Sequence, residues 1–313
     1  MTGPTVGQPR RFCPHCRSAS TISAGEALWP AGWSCRGCGT ALASANGFTQ
    51  LAPDLDDVDE GFDREAFRLL APLEVKHFWF VSRNELLGWL VGRHAASARR
   101  VLEVGTGTGF VLKALRDALP RATIAGSELH TQGLLTARER YGDSVELFQM
   151  DARRSHIAGA LDLIGAFDVL EHIPEDEAVL AEFHRMLAPS GILIATVPQH
   201  PWMWSTTDDL AHHQRRYRVG ELARKARAAG FEVLHASSFT TLAFPLMVAS
   251  RLIARAKTVP RTLEEQTQAE LVMSPLANSL MLTLARFEHR LRRLGMPMPF
   301  GGSQFVVARR GGA

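Results

Sequence analysis

The chain lacks two features of membrane and exported proteins. It has no uncharged apolar stretch of about 18 residues, the length that a membrane-spanning helix needs, and no apolar run near its start. These absences argue against a transmembrane protein and a secretory signal peptide, so we expect a cytoplasmic protein. Charged residues make up 21% of the 313 residues, which argues against a disordered chain. The net charge of +3 permits an anionic partner without indicating one.

Cysteine is scarce, and all four cysteines lie in the N-terminal part of the chain. Cys13 and Cys16 form one C-x-x-C pair, and Cys35 and Cys38 form the second. Because a cytoplasmic chain seldom contains disulfides, we favour a metal site over two disulfides or a redox pair. Two such pairs complete the tetrahedral thiolate shell of a structural zinc ion (Zn2+). His15 lies inside the first pair, but four cysteines already complete the shell.

Composition divides the chain into a small N-terminal module and a larger domain. A module as small as the cysteine-rich segment cannot bury a sufficient core alone, so we expect its metal to supply much of its stability. The predicted parts are a tail at 1–10, a zinc ribbon at 11–50, an acidic linker at 51–61 and a domain at 62–313, with an N-terminal helical region at 62–98 and a helical insertion at 239–302.

From Arg100 onward, short apolar runs alternate with longer amphipathic segments. This alternation predicts an α/β fold in which a parallel sheet carries helices on both faces. Strands are predicted at 101–104, 123–128, 145–149, 163–169, 192–197 and 232–236, and the last strand at 304–308.

A glycine-rich turn follows the first of these strands and precedes a helix. Gly105, Gly107 and Gly109 permit a tight turn and the close approach of a ligand to the backbone. Their spacing lacks the G-x-G-x-x-G pattern of dinucleotide sites. The preceding acid, Glu103, suits a cationic amino-acid ligand and would repel a pyrophosphate.

Three further acids follow the carboxyl ends of predicted strands, where open α/β sheets bind ligands. Glu128 ends the second strand and could accept hydrogen bonds from both hydroxyls of a ribose. Asp151 follows the third strand, where it could accept a hydrogen bond from an adenine amine. Asp168 lies near the end of the fourth. Ordinary surface or helix-capping acids are the alternative interpretation.

The chain resembles the class I S-adenosylmethionine-dependent methyltransferases, in particular the branch with the ubiquinone-biosynthesis enzymes. The resemblance covers about residues 77–238 and rests on the ordered segments VLEVGTGTGF, SELH, QMDARR, FDVLEHIPEDEAVLAEFHRMLAPSGILIATVP and AAGFEV. It implies a seven-stranded, Rossmann-like sheet whose last strand is antiparallel. The zinc ribbon and the helical insertion depart from the minimal family pattern.

The resemblance also implies roles for residues that match the family's motifs. Glu103, Gly105 and Gly107 would hold the methionine part of S-adenosylmethionine. Glu128 would hold the ribose, and Asp151, with Ala152 beside it, the adenine. The remaining predicted donor contacts are Asp168 and Leu170, which would line the pocket from the fourth strand, and Arg83 in the HFWFxxR segment, which would cover the donor.

Methyl transfer from a sulfonium is an in-line displacement, and it needs a general base only when the acceptor carries a proton of high pKa. His172, His212 and His213 are the candidates for that role, with capping or packing as the alternative. The fourth strand lacks the N/D-P-P-Y/F pattern of enzymes that methylate exocyclic or amide nitrogens. Oxygen, carbon and aliphatic nitrogen acceptors therefore remain open.

Three hypotheses for the function follow. The favoured one is methylation of a small-molecule or lipid-like acceptor, because the insertion holds two uncharged apolar stretches, 236–250 and 271–285, each followed by basic residues. This pattern suits an amphiphilic acceptor or a lid at a membrane surface, and a buried dimer or core helix pair is the alternative. Ribosomal RNA methylation is disfavoured because the ribbon is not strongly basic. The third is a non-catalytic zinc-binding interaction protein.

Overall fold

The computed structural model describes residues 8–56, 64–255 and 273–311. The helices and strands that follow the N-terminal module alternate along the chain as the sequence predicts. In chain order the elements are β1 (Arg10–Phe12), β2 (Ala19–Thr21), β3 (Ala43–Ala45), β4 (Phe48–Gln50), α1 (Arg64–Glu74), α2 (Phe78–His94), β5 (Arg100–Val104), α3 (Leu112–Ala118), β6 (Thr123–Glu128), α4 (Thr131–Tyr141), β7 (Glu146–Gln149), β8 (Ile157–Ala158), β9 (Leu161–Phe167), α5 (Asp176–Met186), β10 (Leu187–Pro198), α6 (Thr206–Leu210), α7 (Glu221–Ala228), β11 (Phe231–Phe239), α8 (Phe244–Arg255), α9 (Pro275–Arg293) and β12 (Ser303–Arg310).

The main sheet has the strand order β11-β12-β10-β9-β5-β6-β7-β4-β3. Strands β5, β6, β7, β9 and β10 run parallel, and β12 is antiparallel to both of its neighbours. The first seven strands of this order form the expected Rossmann-like sheet, including its antiparallel last strand. The two additional strands, β4 and β3, come from the N-terminal module, since β4 pairs in parallel with β7.

The N-terminal module is docked on the sheet by further contacts. Strand β1 pairs with β8. The side chain of Glu146 in β7 accepts hydrogen bonds from the backbone N–H groups of Leu28, at 2.8 Å, and Trp29, at 2.5 Å. Trp29 is buried in the same hydrophobic core cluster as side chains of α5 and α7. The predicted division into ribbon and domain remains a prediction, but the described parts of the two share one sheet and one core.

The predicted linker is held against the sheet where it is described. The N–H of Leu51 donates to the carbonyl of Gln149 at 3.0 Å. The Asp56 carboxylate accepts hydrogen bonds from the N–H of Thr131, at 2.7 Å, and from its hydroxyl, at 2.9 Å, at the start of α4. Asp56, one of the acids of the predicted linker, therefore binds a helix N-terminus, where the backbone has unpaired donors. Residues 57–61 lie outside the described part of the chain.

The helical insertion is present on both sides of the undescribed residues 256–272. The prolines that interrupt its apolar stretches lie in first turns, because Pro275 begins α9 and Pro245 is the second residue of α8. Proline is tolerated there, since the first N–H groups of a helix lack intrahelical partners. None of the helices in the described ranges is long and apolar enough to cross a membrane.

Candidate active site at the carboxyl ends of the strands

The glycine-rich turn leaves β5 in a conformation that requires glycine. Gly105 has a φ of 70°, and its N–H donates to the carbonyl of Ser127 in β6 at 2.9 Å. A Cβ atom at this position would lie 2.4 Å from Cγ2 of Val169. Gly107, also with positive φ, donates its N–H to the Glu128 carboxylate at 2.9 Å. The turn thus presents bare backbone at the carboxyl ends of β5 and β6.

The acids at the strand ends surround this turn. Glu103 is buried and accepts a hydrogen bond from the Thr106 hydroxyl at 2.9 Å, and burial raises its pKa to about 8. Burial also raises the pKa of Glu128, whose second oxygen accepts from the N–H of Leu129 at 2.7 Å. A buried carboxylate such as that of Glu103 favours a cationic or hydroxyl-bearing ligand.

The donor set fits S-adenosylmethionine from its amino-acid end to its adenine. Glu103 could accept from the ligand's ammonium group, and Glu128 from the ribose hydroxyls. Asp151 follows β7. Its carboxylate accepts a hydrogen bond from the backbone N–H of Arg153 at 2.9 Å and forms an ion pair with the guanidinium of the same residue. Ala152 and Leu170, two further predicted contacts, are buried members of the hydrophobic core.

Two N-terminal helices contact the turn and the end of β9, and the HFWFxxR segment lies at the start of the second. Glu74 in α1 accepts a hydrogen bond from the Thr108 hydroxyl at 2.6 Å and pairs with Arg140 of α4. In α2, Arg83 forms an ion pair with Asp168 and stacks over the ring of Trp79 at 4.5 Å. Both predicted residues of this pair are therefore brought together at the end of β9.

A second polar cluster lies just beyond Asp168. Glu171, His172 and His213 each present one ligand atom, and the three atoms lie within 4.8 Å of one another. The two imidazole rings are nearly perpendicular, with centroids 4.7 Å apart. Packing around its ring lowers the pKa of His172 to about 3, so this side chain is neutral at pH 7. Two of the three predicted catalytic histidines therefore meet in one place.

A buried carboxylate orients His213. Its Nδ1 lies 2.8 Å from Oδ1 of Asp208, which also accepts from Nε of Arg216 at 2.7 Å. These partners hold the pKa of Asp208 well below its usual range. Asp208 also caps α6 by accepting from the N–H of Ser205. His212 is placed differently: it adopts a φ of 54° and is not one of the three clustered side chains.

Sequence reasoning missed Glu171, a member of the polar cluster, and Gln199, whose backbone carbonyl accepts a hydrogen bond from Arg216 at 3.3 Å. Both are 1% exposed, and neither side chain has a hydrogen-bond partner among the described residues. Burial raises the pKa of Glu171 well above its usual range. The adjacent Glu171-His172 pair directly after the fourth strand was the available signal, whereas nothing local marks Gln199.

The four cysteines come together as predicted. The Sγ atoms of Cys13 and Cys38 are 3.8 Å apart, and those of Cys16 and Cys35 are 3.6 Å apart. Sulfur ligands at about 2.3 Å from a tetrahedral zinc ion lie about 3.8 Å from each other. A disulfide would need sulfurs at about 2.05 Å. The cluster could therefore hold a metal ion in its present geometry.

Comparison with known proteins agrees with this geometry. A family described as a methyltransferase domain matches residues 62–236, more than half of the chain. The ubiquinone biosynthesis O-methyltransferase of Thiobacillus denitrificans is 26% identical over 195 residues, covering 53% of this chain and 83% of that protein. The enzyme of the same name from Pseudomonas aeruginosa is 25% identical over 165 residues, covering 47% and 70%.

A structural comparison supports the fold. A solved structure from Galdieria sulphuraria, provisionally named as a sarcosine dimethylglycine methyltransferase, has a TM-score of 0.50 and 16% identity, covering 74% of this chain and 86% of that one. The sheet order, the glycine-rich turn and the family match together define the class: an enzyme that transfers a methyl group from S-adenosylmethionine. The chain belongs to the methyltransferase domain family, within the class I fold. The hypothesis of a non-catalytic interaction protein is thereby set aside.

Proposed function

We propose that the protein methylates a hydroxyl oxygen of a small amphiphilic molecule. The observation that supports this proposal is the polar cluster of Glu171, His172 and His213. It begins two residues after Val169, whose side chain lies against Gly105 of the glycine-rich turn, and would face the acceptor. Removal of a hydroxyl proton of high pKa needs such groups as bases. An acceptor atom that carries no proton to be removed needs no base. The two enzymes compared above by sequence are named O-methyltransferases.

The donor would lie across the ends of β5, β6 and β7. In this assignment Glu103 binds the ammonium group, the backbone at Gly105 and Gly107 lies against the methionine part, and Glu128 binds the ribose hydroxyls. Asp151 binds the adenine amine. Arg83 would keep Asp168 in place, so that the cover helix α2 and the pocket wall at the end of β9 would move as one unit.

The acceptor would enter between the donor turn and the helical insertion. Helix α9 packs on the cover helix, since Asn278 accepts from the N–H of Phe78 at 2.8 Å and Arg286 pairs with Glu85 at 2.6 Å. Met281 and Ala243 complete this contact by packing against Phe78. The acceptor would therefore meet an apolar wall formed by α2 and α9.

The outer faces of the insertion suit an amphiphilic acceptor. Leu246 and Leu252 of α8 are 55% and 59% exposed, and Leu276 and Leu280 of α9 are 85% and 57% exposed. The exposed Arg290 and Arg293 lie in the C-terminal turn of α9, near Phe287 and Leu294, which are 50% and 81% exposed. Apolar side chains beside cations favour a peripheral contact with an anionic membrane surface, from which a lipid-like acceptor could be taken.

In the reaction, the acceptor oxygen attacks the methyl carbon in line with the sulfonium, and the carbon–sulfur electron pair returns to sulfur. This chain's residues align the two molecules and exclude water. Asp208 would accept a hydrogen bond from Nδ1 of His213, which leaves the lone pair on Nε2. The proposed role of His172 and His213 is to assist removal of the hydroxyl proton.

The proposal can be tested with S-adenosylmethionine that carries a deuterated methyl group. The purified protein is incubated with the donor and fractionated cell extract, and products are located by tandem mass spectrometry. We expect the label on oxygen of a molecule from the lipid-soluble fraction, and its loss in His213→Gln with donor binding retained. Label on carbon, on nitrogen or in RNA would contradict the proposal.

The N-terminal cysteines are proposed to hold a structural zinc ion. The separations of their sulfur atoms and the absence of a bond between any described pair support this assignment. Because the module is part of the main sheet, the ion would stabilise β3 and β4 and, through them, the β7 edge of the donor site.

A further inference from the structure

We infer that Gln149 is a positioning residue that links the N-terminal module to the donor site through Glu128. The inference rests on the proposed binding of the donor ribose by Glu128 and deepens it, because it names what holds that carboxylate in place. Gln149 is the last residue of β7 and stands two residues before Asp151. The link runs through residues 51–56, the segment that leaves the module after β4.

The carboxamide of Gln149 is fully buried, and both of its polar atoms are hydrogen-bonded. Its Oε1 accepts from the N–H of Ala52 at 2.9 Å. Its Nε2 donates to the carbonyls of Ala52, at 2.7 Å, and of Leu129, at 3.0 Å. Only this orientation of the amide satisfies all three groups, since two are acceptors and one is a donor. One side chain therefore joins segment 51–56 to the loop after β6.

Leu129 carries the link into the donor site because both of its backbone groups are bound. Its carbonyl accepts from Gln149, and its N–H donates to Oε1 of Glu128 at 2.7 Å. The other oxygen of Glu128 accepts from the N–H of Gly107 at 2.9 Å. A continuous hydrogen-bonded path therefore runs from segment 51–56 through Gln149 to the glycine-rich turn.

The place of Gln149 in the sheet explains why this side chain makes the link. Strand β7 lies between β4 of the module and β6 of the donor site. A contact from the module to the loop after β6 must cross the end of β7, where Gln149 stands. Its backbone is fixed on the module side, since its carbonyl accepts from the N–H of Leu51 at 3.0 Å. Farther along, the Asp56 carbonyl oxygen lies 3.0 Å from Nδ1 of His130, so segment 51–56 borders that loop.

Removal of the Gln149 amide would leave three backbone groups, one N–H and two carbonyls, without their partners. Unpaired polar groups shielded from water are costly, so the loop after β6 would adopt other conformations. The N–H of Leu129 would then no longer hold one Glu128 oxygen in a fixed direction. Ordering that carboxylate when the donor binds would cost free energy, which the wild type avoids because its carboxylate is already positioned. Donor affinity should therefore fall although no atom that contacts the donor is removed.

The test measures S-adenosylmethionine binding to the full chain by calorimetry. Gln149→Met keeps the length of the side chain and removes its hydrogen bonds, and we expect at least about fivefold weaker binding than in the wild type. Gln304→Met is the matched control. Gln304 is also buried, its Nε2 donates to the carbonyl of Arg218 at 3.0 Å, and four strands separate β12 from β7. The donor affinity of this control should stay within about twofold of the wild type.

A double-mutant cycle with Glu128→Ala separates positioning from a merely structural role. Because Gln149 acts through Glu128, Gln149→Met should weaken donor binding by less than about twofold in the Glu128→Ala background. Circular dichroism and the melting temperature show whether each variant is folded. Gln149→Glu is the second variant, since its ionised carboxylate has no proton to donate to Leu129, and it should also weaken donor binding.

Wild-type donor affinity in either folded Gln149 variant, an equal loss in Gln304→Met, or additive losses in the double variant would overturn the inference. So would weaker binding in Gln149→Met with none in Glu128→Ala, because the path would then not act through Glu128. If Glu128→Ala weakens binding while Gln149→Met does not, the inference fails and the proposed role of Glu128 stands. If neither variant weakens binding, the proposed role of Glu128 fails as well.

Discussion

Gly105→Ala probes the donor turn most sharply, because the structure separates two reasons for its effect. The first is the positive φ of 70°, which costs an alanine about 1–2 kcal/mol. The second is the new Cβ atom, 2.4 Å from Cγ2 of Val169, which requires the turn or Val169 to move by about 1 Å. Overpacking of this kind typically adds about 1–3 kcal/mol.

Gly220→Ala is the matched control. Gly220 has a φ of 75°, and a Cβ atom there would meet no heavy atom within 4 Å. We expect it to lower the free energy of unfolding by the backbone cost alone, about 1–2 kcal/mol. Gly105→Ala should lower it by about 2–5 kcal/mol, the sum of the backbone and overpacking costs.

The double variant Gly105→Ala/Val169→Ala should recover most of the overpacking. It leaves the Cβ of residue 169 as the nearest atom, at 3.4 Å, an ordinary contact distance. Calorimetry should show S-adenosylmethionine binding weakened about tenfold or more in Gly105→Ala, equivalent to about 1.4 kcal/mol, and partly restored in the double variant. Equal destabilisation by Gly105→Ala and Gly220→Ala, or no recovery in the double variant, would refute this reasoning.

Three further predictions follow from other parts of the molecule. Removing the proposed ribbon metal with a chelator, or by Cys35→Ser, should lower the melting temperature and weaken donor binding, because β4 borders β7; unchanged donor affinity after proven metal loss would contradict this. Asp176→Ala should lower the free energy of unfolding by about 3–5 kcal/mol in denaturant titrations, since it strips buried Lys225 of its 2.6 Å partner, whereas the exposed Asp117→Ala should change it by less than about 1 kcal/mol. Burial raises the pKa of Glu103 from 4.5 to about 8, so the ligand-free folded state binds more protons than the unfolded state between these values; stability should fall as pH rises from 4.5 to 8, and Glu103→Gln should flatten that slope.

The donor side of the site was predictable because its signals are local. The turn at Gly105 and the acids Glu103 and Glu128 each lie within a few residues of a strand end that hydrophobic patterning marks. In a parallel sheet, the carboxyl ends of the strands lie at one edge. The position of each of these residues at a strand end therefore already indicates a common site. Only the sheet order remained to be supplied by the structure.

The acceptor side was less predictable because it is assembled across long separations. Glu171 and His213 are brought together by the backbone bond between Gln214 and the Glu171 carbonyl, which no local pattern encodes. Sequence reasoning therefore identified the histidines and passed over the carboxylate between them. His212, equally polar and adjacent, differs from His213 through its backbone conformation and the contact to Asp208.

The docking of the ribbon was missed for a similar reason. Its strands are three residues each, and β4 pairs with a strand about a hundred residues later. Acidic composition at 51–61 predicted a linker, but Asp56 binds the first turn of α4. Charge predicts that a residue needs a partner without showing whether that partner is water or protein.

Titration of S-adenosylmethionine into the wild type and into Glu128→Ala by calorimetry tests the central claim most directly. We predict one binding site per chain and at least about tenfold weaker binding in Glu128→Ala, because hydrogen bonds to a charged group contribute about 1.5–3 kcal/mol. Asp162→Ala is the control, since Asp162 binds the N–H groups of Arg99 and Arg100 at the opposite end of the sheet and its loss should leave the affinity unchanged. No binding to the wild type, or equal affinity of wild type and Glu128→Ala, would contradict the account.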